Sequence, residues 1–299
     1  MCESRRGFSV IRVHYGCLNI MFSYIKLLRI RHWIKNLFLF AAPFFGGTLF
    51  RQETLYIAVP AFLAFSFIAS ASYIFNDIKD SERDKLHPKK RKRPIASGSI
   101  GKNKAMVFAA ILALLSLILS IRITPAFLNL VLLYLFIQLG YSLFLKHVVI
   151  ADIFCIASGF VIRVLAGSAA FHVDASKWLL LTMFMISLVL GTGKRLGEAS
   201  LMNDAVEAHR KSLNVYSIST LSEILVISSS AALLSYALYT VEQSQQLLYT
   251  IPVVTFGLFR YLLLAKQGMS DPTEALTHDR WLAFTVVLWV SLVGLIRYH

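Results

Sequence analysis

Apolar residues run along the chain in long blocks, at roughly 36–50, 54–76, 104–121, 125–145, 148–170, 178–194, 218–241, 246–265 and 281–297, with polar residues gathered in the breaks. About 20 helical residues cross a hydrocarbon core of about 30 Å. Lipid offers no partner to an unpaired backbone amide, so blocks of this kind predict helices that span a membrane. The expectation is an all-α polytopic membrane protein with about nine transmembrane helices. Breaks at 51–53, 122–125 and 172–177 read as tight turns, whereas those after Asn76 and after Gly193 are longer and polar.

Ahead of the first block, Met21, Phe22, Ile25, Leu28 and Trp33 alternate with bases, the texture of an interfacial helix on an anionic membrane surface. Residues 1–20 mix Arg5, Arg6, Arg12 and His14 with isolated hydrophobes and lack the continuous apolar stretch of a cleaved signal peptide. Met1 and Met21 both stand as candidate starts. Two regions follow: an N-terminal cytoplasmic or interfacial segment, 1–35, and a single membrane-embedded domain, 36–299.

Composition sharpens this picture. The 299 residues are 57% hydrophobic and only 15% charged, with a mean hydropathy of +0.65. Soluble domains carry about a quarter charged residues. Basic residues are retained on the cytoplasmic side of a membrane. With the N-terminus inside, Arg51, Arg122, Lys177 and Arg297 fall outside and Arg163 within a span, leaving 25 of the 30 Lys and Arg on the inner face. That asymmetry accounts for the net charge of +14 without a nucleic-acid partner. Cys2, Cys17 and Cys155 show neither disulfide nor metal-ligand spacing. A transporter or channel would carry inverted repeats with matching Gly or Pro interruptions; the spans show neither.

The most informative stretch is 76–98, which continues the second span directly. Asp77, Asp80 and Asp84 fall at i, i+3 and i+7, with Asn76 four residues before Asp80, so four oxygen-bearing side chains share one helix face. Like charges so placed repel by a few tenths of a kcal/mol per pair. A divalent cation offsets that repulsion. Mg2+ suits it, being held by one or two carboxylates together with substrate phosphates and water. Lys90, Arg91 and Arg93 lie between Pro88 and Pro94, which keep the stretch out of regular helix and can fold its bases back over the acidic face as a phosphate site.

N-D-x-x-D-x-x-x-D from Asn76, followed by H-P-x-K-x-x-R-P and A-S-G, resembles the first signature of the UbiA family of intramembrane prenyltransferases. The likeness runs on through Leu28-Arg29-x-x-His32-Trp33-x-Lys35-Asn36, Tyr141 to Lys146 with Asp152, Gly159-Phe160-Val161-x-Arg163, Gly193-Lys194-Arg195, and Asp271-Pro272 with Asp279. It covers nearly the whole chain after Met21. Within the family it is closest to the branch that moves a phosphoribosyl group onto a polyprenyl phosphate. The resemblance implies a nine-helix bundle around a polar cavity facing the cytoplasm, Mg2+ on Asn76, Asp77, Asp80 and Asp84, and Tyr141 among the substrate contacts.

Each matching position also has a physical reading. Lys35 and Asn36 stand at the inner mouth of the first span, where an ammonium and a carboxamide can hold a phosphate. Lys146 closes the fourth span, and Asp152 opens the fifth where a carboxylate suits a helix N-terminus; a second polar contact on substrate or metal is expected beside a capping role. Arg163 lies 11 residues beyond Asp152, about 16 Å deeper. An arginine near mid-membrane costs at least about 2.5 kcal/mol, so it should face a cavity and pair with an anion, with Glu223 as an alternative partner. Lys194 and Arg195 add bases at the inner end of the sixth span.

One departure bears on the substrate. Family members that join a prenyl diphosphate to an aromatic acceptor carry a second aspartate-rich motif after the sixth span. Here Lys194 and Arg195 stand in that region, and Asp204 and Glu207 do not restore the pattern. One acidic cluster among many bases fits a small, highly anionic donor, 5-phosphoribosyl diphosphate, with a membrane-borne polyprenyl (decaprenyl-like) phosphate as acceptor. The alternative is prenyl transfer to an aromatic acceptor. The acceptor's chain length and a homo-oligomeric state stay open.

Overall fold

A computed structural model describes residues 21–200, 217–269 and 272–299. Residues 1–20, Asp204, Glu207 and Asp271, which figure in the sequence reading, lie outside the described residues. The described chain is helical, and eight helices are long and apolar enough to cross a membrane. They are α3 (Gln52–Leu86), α4 (Lys102–Ile121), α5 (Pro125–Leu143), α6 (Ala151–Phe171), α7 (Lys177–Ser200), α8 (Ile218–Gln243), α9 (Gln245–Lys266) and α11 (Arg280–Tyr298). A helix over 21–28 is α1, and the short Pro272–His278 helix is α10.

The expected first span, α2, is built differently. It is an 11-residue 3-10 helix, Ile30–Phe40, that passes into five α-helical residues, Ala41–Phe45. A 3-10 helix rises about 2.0 Å per residue against 1.5 Å. The short segment therefore reaches roughly 30 Å, enough for a core of that thickness. It begins at Ile30, so the sequence-based boundary at residue 35 falls inside it. α1 meets it through Arg29, whose left-handed backbone (φ 51°) is uncommon for a residue with a Cβ.

Length also explains α3. Its 35 residues measure about 52 Å, so roughly 20 Å projects beyond the hydrocarbon, and the projecting end carries the 76–86 acidic stretch. Burial sorts the other helices. α6 and α7 have 61% of their apolar stretches buried, whereas α4, α5 and α11 have 28% or less and present Leu114, Phe136, Phe284 and Val287 outward. Exposed apolar surface of that extent is what lipid requires. α1 keeps Met21, Phe22 and Ile25 exposed while Leu27 packs with Ile74, Ala105 and Leu112 of α3 and α4, the posture of an interfacial helix leaning on the bundle.

Successive helices are neighbours, and α11 closes the ring against α2. At that seam Arg297 Nε donates to the Phe45 carbonyl and the Tyr298 hydroxyl to Pro43 and Phe44 carbonyls. α2 can lie so close to α6 because position 167 is glycine. A Cβ there would overlap the Leu39 carbonyl.

Candidate functional site

The ring encloses a cavity of about 1990 Å³, roughly twice the volume that suffices for one drug-sized ligand. Its mouth lies where α3 projects, and its depth runs along Phe38, Ala41 and Phe45 of α2 to Leu233 of α8 and Trp289 of α11. Nine Lys and Arg side chains line it (Arg29, Lys35, Arg83, Lys89, Lys90, Arg93, Arg163, Lys194 and Arg195) against three carboxylates among the described residues, Asp80, Asp84 and Glu198.

Asn76, Asp80 and Asp84 form one stripe of α3 that faces the cavity. Lys146 Nζ, from the turn after α5, reaches Asp80 Oδ1 at 2.5 Å and Asn76 Oδ1 at 3.4 Å, and Asn76 Nδ2 donates to Asp80 Oδ2 at 3.1 Å. Asp77 departs from that stripe. It is buried and accepts from Arg29 and, at 2.9 Å, from Arg93, so it holds α1, α3 and the following turn together instead of lining the cavity.

The basic stretch does fold back. α3 ends at His87, whose Nδ1 accepts from the Lys89 and Lys90 amides, and one 3-10 turn, Lys90–Lys92, precedes Arg93. Buried Ile95 and Ile100 pack with Ile74 and pin the turn beneath α3. Gly98 makes the return with φ +77°, a backbone region that favours glycine. Arg93 Nη1 is thereby laid across α3, 2.9 Å from Asp77 and 2.6 Å from Asp84. Lys90 lines the cavity, and Arg91 is exposed to solvent outside it.

A second buried group lies opposite. Arg195 Nε donates to Asp152 Oδ2 at 2.7 Å, Nη1 to Glu198 at 2.6 Å and Nη2 to the Tyr141 hydroxyl at 3.4 Å. Asp152 also accepts from the Ile153 amide at its own helix start. Tyr141, Lys194 and Arg195 line the cavity, while Asp152 stands behind them.

Lys35 and Asn36 separate. Lys35 lines the cavity; Asn36 is fully buried, donating to Ser66 Oγ at 2.9 Å and accepting from Arg163 Nε at 2.8 Å. Arg163 differs from expectation in its partners. It meets oxygens and ring faces, with the Gly159 carbonyl at 2.6 Å, the Tyr134 hydroxyl at 3.1 Å, and the rings of Tyr134, Phe65 and Phe160 within 5.6 Å. A diffuse guanidinium charge is compensated by such rings and dipoles without a carboxylate. Glu223 instead accepts from Ser219, four residues away on α8.

Residues to which the sequence reading gave no site role also belong here. Arg29, His32, Tyr73, Tyr134 and Gln138 all face the cavity. The two tyrosines inside apolar spans were a signal, since a phenol in the membrane needs a polar partner. Arg29 and His32 stood in the Leu28-to-Asn36 match, but without a role, because the reach of Arg29 to Asp77 depends on a backbone turn.

A ring of helices with a charged mouth and an apolar bore defines a multi-pass membrane protein with an enclosed site that is polar at one end and apolar at the other. The chain belongs to the UbiA prenyltransferase family, whose model matches residues 32–295, and is a transferase of that family. It is 34% identical over 286 residues to a decaprenyl-phosphate phosphoribosyltransferase of Mycobacterium tuberculosis, covering 92% of this chain and 94% of that one. A protein of the same name from Corynebacterium glutamicum is 34% identical over 292 residues, covering 94% and 88%. A solved UbiA homologue from Archaeoglobus fulgidus bound to DMAPP and Mg2+ shares the fold, with a TM-score of 0.75, 18% identity, and 92% and 99% of the two chains covered.

Proposed function

We propose that this chain transfers the 5-phosphoribosyl group of 5-phosphoribosyl diphosphate to a polyprenyl phosphate in the membrane, releasing diphosphate. The observation that carries the reading is the surplus of nine bases over three acids around a cavity with an apolar bore. A donor with three phosphate groups and an acceptor with one more supply the anions that such a mouth requires. The bore takes the acceptor's tail. The names of relatives that match nearly end to end point the same way.

In this scheme an acceptor phosphate oxygen bonds to the anomeric carbon as the bond from that carbon to diphosphate breaks, and diphosphate departs with the electron pair. A lipid phosphate is ionised at neutral pH, so no side chain has to remove a proton. Arg93, Lys90, Lys35, Lys194 and Arg195 hold and neutralise the phosphates in a shielded site.

Among the described residues, no three His, Cys, Asp or Glu side chains converge to hold a metal by themselves. Asn76, Asp80 and Asp84 nevertheless offer hard oxygens on one stripe, a donor set that fits Mg2+ completed by substrate phosphate and water. Lys146 pairs with Asp80 and Arg93 with Asp84, and each carboxylate retains lone pairs beyond its base. When bound, the ion supplies Lewis acidity towards the leaving diphosphate. The bias of Lys and Arg towards one face orients the mouth to the cytoplasm.

Membranes containing the chain, given labelled 5-phosphoribosyl diphosphate and polyprenyl phosphate, form a labelled lipid that is lost with chelator and restored by Mg2+. Product formed only from prenyl diphosphate and hydroxybenzoate would make it an aromatic prenyltransferase instead.

A further inference from the structure

Tyr73 lies three residues before Asn76 on α3, about 4.5 Å further into the membrane, and lines the same cavity. The Arg29 guanidinium stands 5.4 Å from its ring and the His32 ring 5.4 Å away. Deeper along α2 the wall is apolar, with Phe38, Ala41 and Phe45. Tyr73 thus occupies the boundary between the charged mouth and the bore.

Its hydroxyl is one O–H donor and an acceptor, in a cavity wall that it shares with Arg29, Lys35, Arg163 and Lys194. Arg163 is itself engaged, donating to the Tyr134 hydroxyl at 3.1 Å, to Asn36 and to the Gly159 carbonyl. A phenol among so many cations suits an anionic oxygen, to which it donates.

We propose that Tyr73 is a further substrate-contacting residue, whose hydroxyl donates to the phosphate of the lipid acceptor and holds the attacking oxygen beneath the donor. This rests on the phosphoribosyl transfer proposed above. The lipid phosphate is favoured over the donor's because only the acceptor must join an ionised head to an apolar tail, and Tyr73 sits where those surroundings meet. The donor's diphosphate has the Asn76, Asp80 and Arg93 level to itself.

The test is steady-state kinetics of the full chain in detergent, with 5-phosphoribosyl diphosphate and a polyprenyl phosphate of one chain length varied separately. In Tyr73→Phe, KM for the polyprenyl phosphate rises about ten- to a hundredfold, the loss expected for one hydrogen bond to an ionised group, while KM for the donor stays. A change in donor KM alone, an equal rise in both, or no change overturns the assignment. Tyr73→His keeps the question decidable if Tyr73→Phe does not fold. It keeps a ring donor but draws it back from the cavity, so the lipid KM rises several-fold with the donor KM unchanged, and an unchanged lipid KM overturns the proposal. A wild-type chain that forms no phosphoribosyl lipid sinks the proposed function itself, before any variant is compared.

Discussion

Asp152 and Arg195 meet at 2.7 Å with both side chains sealed from solvent, joining the start of α6 to the end of α7. Truncating one member of a buried pair strands the other's charge, at a cost of about 3–5 kcal/mol. Glu198 still neighbours Arg195, which puts Asp152→Ala near the lower figure. Denaturation in mixed micelles reads this directly. Asp152→Asn, which keeps an acceptor for the guanidinium, loses less.

Asp80 and Asp77 separate by role. Asp80 faces the cavity and also pairs with buried Lys146, so Asp80→Asn, which keeps an oxygen for that ammonium, lowers transfer about 10²- to 10³-fold, the range for losing one preorganised electrostatic group, with little change in the unfolding midpoint. Asp77 ties Arg29 and Arg93 together beneath the stripe, so Asp77→Ala lowers the midpoint as well as the rate. Retained transfer in both variants removes the acidic stripe from the mechanism.

Gly167→Ala forces α2 away from α6, because the added methyl meets the Leu39 backbone and no rotamer can relieve it. Overpacking of this kind costs about 1–3 kcal/mol. Lys35 rides on the displaced segment, so transfer falls together with the unfolding midpoint; a variant as stable and active as wild type contradicts the close approach.

Asp279 caps α11 by accepting from the Leu282 amide at 2.7 Å and pairs with Arg260 of α9. The Arg260 side chain, hydrogen-bonded to it, holds the Asp279 carboxyl below its ordinary range. A lowered folded pKa contributes stability that is complete above the unfolded value of about 3.9. That stability is lost as pH falls through the folded one. Asp279→Asn keeps a capping oxygen and abolishes that acid-side loss, as melting curves from pH 6 down to 3 would register.

Much of the bundle was legible because a lipid-facing helix must be apolar over a length set by the bilayer. The blocks at 104–121 and 281–297 match α4 and α11 to within a few residues. α2 was harder to read, since its 3-10 winding lacks the 3.6-residue period of an α-helix and its seat against Gly167 is a tertiary contact. At the mouth, helical spacing brought Asn76, Asp80 and Asp84 together. The same spacing put Asp77 with them, because a helical wheel does not distinguish a cavity from a neighbouring arginine.

By itself, the sequence determined the membrane-spanning helices, the continuation of α3 into an acidic stripe, and the excess of bases at one end. All of these follow from local periodicity and the energetics of charge in lipid. Tertiary structure alone decided which partner each charge took: Lys146 on Asp80 across 66 positions, Arg195 on Asp152 across 43, and Arg163 among aromatic rings instead of beside an acid. Such pairings depend on helix neighbours brought together by packing, and no spacing along one strand of sequence records them.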